Sequence, residues 1–123
     1  MAPFADLDPT ATSATYLTHT SQKTAVIPMI ESVEGLKNVE KICSIDGVTA
    51  VFVGPLDLRF SMGLPGADGA EEDFLEALRR IVSVCKSLEK PVGIFAVNGK
   101  ACQKRKLEGF DFILVCSACD TNI

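Results

Sequence analysis

Val26-Ile27-Pro28-Met29-Ile30-Glu31 and Val51-Phe52-Val53-Gly54-Pro55-Leu56-Asp57-Leu58, whose aspartate lies 26 positions after that glutamate, decide how the 123-residue chain is read. Each is a short apolar run closed by an acid. Continuous rather than alternating apolar runs suit strands inside a parallel sheet. Parallel neighbours need a crossover, and the segment between these runs holds one: Val33, Leu36, Val39, Ile42 and Cys43 recur at helical period among polar residues. Ser32 suits its N-cap and Gly47 a left-handed turn after it. Adjacent strands lie about 4.8 Å apart, so Glu31 and Asp57 are expected on one sheet edge, within reach of a single divalent cation.

The same alternation continues. Leu56 to Gly69 reads as a loop of about a dozen residues, long for a connection. Glu71, Glu72 and Asp73 favour a helix start, and Phe74, Leu75, Leu78, Ile81, Val82, Cys85 and Leu88 form the clearest amphipathic stripe, ending at Lys90-Pro91. Val92 to Val97 is a third strand. Lys100 to Leu107 is a short basic helix with Gly109 as its C-terminal cap, and Phe110 to Cys116 is a fourth strand. Four strands with three intervening helices predict an α/β fold with a parallel sheet covered on both faces, open or part of a barrel. Residues 1–24, rich in Thr, Ser, Ala and Asp, are read as a loop with a weak helix preceding a barrel-type domain over 25–123.

Composition excludes several functions. Hydrophobic residues make up 47% of the chain, yet no stretch approaches the roughly 20 apolar residues of a membrane span. Met1 to Thr10 carries Asp6 and Asp8 and no basic residue, unlike a secretory or mitochondrial leader, so the expected location is cytoplasmic. A net charge of −4, no Trp, and no basic run longer than Lys104-Arg105-Lys106 disfavour nucleic-acid binding. That basic run reads as a solvated helix face. Gly63 to Gly69 lacks the Lys-Ser/Thr of a phosphate loop.

His19 stands among Thr18, Thr20 and Ser21 and reads as solvated surface. The five cysteines read as thiols of a reduced compartment. Cys116-Ser117-Ala118-Cys119 has the spacing of a redox pair or half a zinc site, but no second pair appears, and buried thiols are the plainer reading.

Pro28-Met29-Ile30-Glu31-Ser32-Val33-Glu34-Gly35, then Gly47-Val48, Val53-Gly54-Pro55-Leu56-Asp57-Leu58 and Met62-Gly63, resemble the HpcH/HpaI aldolase and citrate lyase family, with a closer likeness to fungal macrophomate-synthase-like members. Pro91-Val92-Gly93-Ile94 and Gly109-Phe110-Asp111 through Asp120-Thr121 continue the match in order. The resemblance implies a half barrel, strands five to eight of a (β/α)8 TIM barrel. It implies Glu31 and Asp57 as ligands of Mg2+, Mn2+ or Co2+, and the backbone of Gly54, Pro55 and Leu56 as a cradle for the carboxylate of a small 2-keto acid. The implied activity is carbon-carbon cleavage giving pyruvate or its enolate, by retro-aldol cleavage or oxaloacetate decarboxylation. The arginine and histidine that the family takes from earlier strands have no counterpart here, so an inactive chain that binds metal or a partner is the alternative. The sequence departs from the family at Met29, where many members have Gln, and at Arg59, where Ser is common. A closing helix after Ile123 is also missing. Unpaired edges at Ala25 to Ile30 and Phe110 to Cys116 lead to the expectation of a homo-oligomer.

Overall fold

The fold is built on a four-stranded, all-parallel sheet in chain order, β1 (Met29–Ile30), β2 (Val51–Val53), β3 (Val92–Ala96) and β4 (Phe112–Val115). This arrangement, seen in a computed structural model that describes residues 12–13 and 23–115, is that of a partial (β/α) barrel. Between the strands run α1 (Val33–Lys37), α2 (Val39–Cys43), α3 (Pro55–Ser61), α4 (Glu72–Ser87) and α5 (Gly99–Leu107). His19, Cys116, Cys119 and nearly all of the segment 1–24 lie outside the described residues.

Register separates the sheet into two faces. Ile30, Val53, Ile94 and Ile113 share one row, and Val51 pairs with Val92 on the same side. These residues meet Val39 and Cys43 of α2 and Phe74, Leu78, Ile81 and Cys85 of α4 in one buried cluster. The α4 stripe follows the expected helical spacing, and burial of such side chains, about 1.5–3 kcal/mol each, is what holds the helices to the sheet. Met29, Phe52, Gly93 and Phe112 form the opposite row, with Phe95 and Leu114 beyond it. No described helix covers that face. Met29 is 50% exposed and Leu114 is 56% exposed. Among the described residues the sheet is thus covered on one face only, and Val26 and Ile27, which precede the two-residue β1 rather than belonging to it, are exposed as well.

Gly93 shapes the bare face. A Cβ there would stand 2.2 Å from the Phe112 ring, so its absence lets that ring lie across β3 toward Phe52, whose centroid is 6.0 Å away.

Three local expectations change. The single helix read over Val33–Cys43 is two, because Asn38 leaves helical geometry while its side-chain amide donates to the Glu34 carbonyl oxygen at 2.9 Å. The loop read from Leu56 begins instead as α3. Gly54 is its N-cap and Pro55 its first residue, where the fixed φ of proline and its missing N–H are both tolerated. Arg105, read as part of a solvated basic face, is 1% exposed, while Lys104 and Lys106 on either side of it are solvated as expected. Ser32 does cap α1, accepting from the Gly35 N–H at 2.9 Å, and Gly47 and Gly109 do take left-handed φ values of 92° and 102°.

Candidate functional site at the C-terminal edge of the sheet

Glu31 follows β1 directly, and Asp57 lies in the first turn of α3, four residues past the end of β2. Two hydrogen bonds lock these segments together on either side of Glu31. The Gly54 N–H donates to the Ile30 carbonyl oxygen at 3.1 Å, and the Val33 N–H donates to Ser61 Oγ at 2.9 Å. Gly54 makes the close approach possible: a Cβ on it would sit 2.9 Å from Met29 Sδ and 3.4 Å from Glu31 Oε2. The glutamate carboxylate thus lies against the N-cap of the helix that carries the aspartate.

Both carboxylates are solvent-exposed, and among the described residues neither joins an ion pair or accepts a hydrogen bond. Gly54, Pro55, Leu56 and Asp57 line a recess of about 260 Å³ whose floor is the bare sheet face at Met29, Phe52, Phe95 and Leu114 and whose rim includes Ala67. Glu31 borders that recess through Gly54. Among the described residues no group of three or more His, Cys, Asp and Glu side chains is assembled to hold a metal. The donor set here is two carboxylates, hard oxygen ligands of the kind magnesium and manganese prefer, with remaining positions left to water or a chelating substrate. In α3 the first backbone N–H to bond within the helix is that of Leu58, to the Gly54 carbonyl oxygen at 3.0 Å. The Leu56 and Asp57 amides precede it without an intrahelical acceptor.

Two residues away from Asp57, Arg59 does work that sequence reasoning missed. Its guanidinium is 1% exposed and donates to both Glu71 carboxylate oxygens at 2.6 and 3.0 Å, to the Pro65 carbonyl oxygen at 2.6 Å and to that of Gly66 at 3.1 Å. This planar fork supplies donors to two carbonyls of the loop and to the carboxylate that ends it. Gly69 has no room for a side chain, since a Cβ would lie 2.6 Å from Arg59. Glu71 is the N-cap residue of α4 but makes no capping bond, because its carboxylate is committed to Arg59. That pairing holds the Glu71 carboxylate at about 2, well below its ordinary value of 4.5.

Arg105 closes the other side of the loop. It pairs with Asp68 and with Glu108, the latter at 2.7 Å. Both guanidiniums lie over the buried Phe74 ring, Arg59 at 4.7 Å and Arg105 at 5.6 Å from its centroid. The segment bearing Ala67 is therefore held on one side by Arg59 of α3, the helix that carries Asp57, and on the other by Arg105 of α5. The signal for this was present: an arginine ahead of Leu64-Pro65-Gly66, followed by an acid at 71, and an i,i+3 pair at Arg105 and Glu108.

Cys43 Sγ and Cys85 Sγ are 3.3 Å apart in the core, both free thiols, as read from the sequence. Burial, then the neighbouring Cys43, pushes the Cys85 thiol up to about 12.

The profile of the HpcH/HpaI aldolase/citrate lyase family matches residues 8–116. A hydroxypyruvate/pyruvate aldolase of Rhizorhabdus wittichii is 35% identical over 99 residues, which cover 80% of this chain and 39% of that protein. The structure of an HpcH/HpaI aldolase/citrate lyase family protein from Burkholderia cenocepacia superposes with a TM-score of 0.75 at 33% identity, over 83% of this chain and 40% of that one. Macrophomate synthase (TM-score 0.72, 22% identity, 92% of this chain and 40% of that one) shares the fold. So does a citrate lyase beta subunit from M. tuberculosis complexed with oxaloacetate and magnesium (TM-score 0.63, 18% identity, 76% and 47%). The chain thus spans about two fifths of the length of the relatives it matches. With its profile matched over most of its length, the chain belongs to the HpcH/HpaI aldolase/citrate lyase family.

Proposed function

We propose that this chain contributes the metal-binding half of a carbon-carbon lyase of the class II aldolase type, acting on 2-keto acids and yielding pyruvate or its enolate. The observation that supports this most is the pair of carboxylates, Glu31 and Asp57, that have no hydrogen-bond or ion-pair partner among the described residues and lie beside the recess formed by Gly54, Pro55 and Leu56. Relatives are named as aldolases, and a fold neighbour is described with oxaloacetate and magnesium.

In this reading Glu31 and Asp57 hold a divalent cation, Mg2+, Mn2+ or Co2+. When bound, the cation acts as a Lewis acid toward a 2-keto oxygen and lowers the energy of the enolate left by retro-aldol cleavage or decarboxylation. Gly54 keeps the floor beside Glu31 free of a side chain, and the amides of Leu56 and Asp57 offer donors to a substrate carboxylate. The apolar floor of Met29, Phe52 and Phe95 excludes water from one side of the substrate. Arg59 positions α3 and the Ala67 wall without lining the recess. The protein works as a homo-oligomer in the cytosol; among the described residues no helix is long and apolar enough to cross a membrane.

A second reading, a chain that binds metal or a partner without turnover, draws on the two buried arginines. Arg59 and Arg105 are both committed to carboxylates, and neither lines the recess. Release of pyruvate from oxaloacetate with added Mn2+ separates the two. Turnover abolished in Asp57→Ala supports the lyase, and no turnover above the Mn2+-only rate assigns the chain to the second reading.

A further inference from the structure

Cys43, the last residue of α2, and Cys85, in the last turn of α4, are both 0% exposed, and their Sγ atoms touch at 3.3 Å although the residues are 42 positions apart in the chain. The proposed lyase chemistry uses neither. Both belong to the cluster that α2 and α4 form on the helix-covered side of the sheet, where Val39 and Cys43 share one face of α2 and Phe74, Leu78, Ile81 and Cys85 share one face of α4.

We infer that the pair is a thiol–disulfide exchange site, at which a low-molecular-weight disulfide such as oxidised glutathione converts Cys43 and Cys85 into a reversible covalent bond between α2 and α4. Packing favours this product over any other. An adduct on either sulfur adds atoms to a filled interior, whereas joining the two sulfurs removes two hydrogens and adds nothing. The sulfurs are already in contact, so a small turn about each Cα–Cβ bond brings them to bonding distance.

The two helices set the order of events. α2 has five residues, starts at Asn38 without a side-chain capping bond and runs out into exposed Ser44, Ile45, Asp46 and Gly47. α4 has 16 residues and buries Phe74, Ala77, Leu78, Ile81 and Cys85. Local opening therefore lifts α2 from α4 and presents Cys43 to solvent first. The Cys43 thiolate attacks one sulfur of the small disulfide, forming a mixed disulfide and expelling one small thiolate. The Cys85 thiolate then attacks the Cys43 sulfur and expels the second. Two cysteine thiols are oxidised, the small disulfide is reduced to two thiols, and the two cysteine protons end on those thiols. While the helices are packed, burial and then Cys43 hold the Cys85 thiol up at about 12, and both causes are removed when α2 lifts. The packed pair is inert and the opened pair reacts.

Incubation of the native, unsubstituted chain with oxidised glutathione at pH 8, followed by acid quenching, alkylation in urea and a non-reducing peptide map, tests this. The peptide carrying Cys43 is expected to be joined to the one carrying Cys85, and the urea midpoint of the oxidised chain to rise by about 1–2 M, because the bond closes a long loop. A small dithiol is expected to reverse both changes. In Cys85→Ala the mixed disulfide is expected to persist on Cys43, and in Cys43→Ala neither the link nor the rise in midpoint is expected. Cys43 and Cys85 recovered as free thiols after native incubation, separate glutathione adducts on the two, or a link that lowers the midpoint overturns the inference. The peptide map of the unsubstituted chain decides the matter even where a substituted chain fails to fold. None of these readouts uses turnover or metal, so failure of the lyase reading and failure of this one are seen separately.

Discussion

Replacing Phe74 with leucine removes the aromatic face shared by Arg59 and Arg105 while leaving both ion-pair networks their carboxylates. Both guanidiniums are 1% exposed, and a cation desolvated over a ring contributes about 2 kcal/mol. At 5.6 Å, Arg105 lies near the outer limit of roughly 6 Å and contributes about half as much. Leucine refills most of the ring's volume, so lost packing adds about 1 kcal/mol. The expected loss is therefore about 4 kcal/mol, a substantial part of the roughly 6–18 kcal/mol total for a chain of this length. Urea unfolding followed by far-UV circular dichroism should show the midpoint falling by about 2 M with an unchanged slope. A double-mutant cycle with Arg59→Met should return a coupling of about 2 kcal/mol. A loss below about 1.5 kcal/mol in Phe74→Leu, the range of a packing change alone, would refute the claim that the ring organises the two arginines.

Three further outcomes follow from the same geometry. The Glu71 carboxylate, held at about 2 by Arg59, supports the fold fully above its ordinary 4.5, and that support fades as pH drops toward 2; Glu71→Gln should remove this limb of the urea midpoint against pH, and an unaltered limb contradicts the pairing. Alkylation of the native protein at pH 8 should spare Cys43 and Cys85, whose thiols are buried and face each other, until urea is added; rapid native labelling of Cys85 in a peptide map contradicts this. Gly54→Ala should push Met29 Sδ and the Glu31 side chain aside and weaken Mn2+ binding about tenfold with little change in urea midpoint, whereas equal affinity removes Gly54 from the site.

The sheet and most of its helices were legible because burial imposes period. The α4 stripe from Phe74 to Cys85 and the runs around Ile30, Val53 and Ile94 face one core and carry that constraint in their spacing. What period cannot express was missed. Pro55 after Gly54 reads equally as a strand stop or a helix start, and only the register of α3 against Glu31 distinguishes them. Arg105 looks like its lysine neighbours until Asp68, 37 residues earlier, is folded against it. The exposure of Met29 and Leu114 was illegible because a strand's apolar run reports what should be covered, not whether a cover is present. Glu31 and Asp57 were reached from strand ends, and the structure adds the two bonds that bracket Glu31 and the missing Cβ that brings it against α3.

Calorimetric titration of Mn2+ into the unsubstituted chain, Glu31→Gln and Asp57→Asn tests the proposed site most directly. The proposal predicts about one Mn2+ per chain, weakened at least tenfold by either amide, because each substitution removes one of the two charged ligands. Equal affinity in the unsubstituted chain and in Glu31→Gln would contradict it.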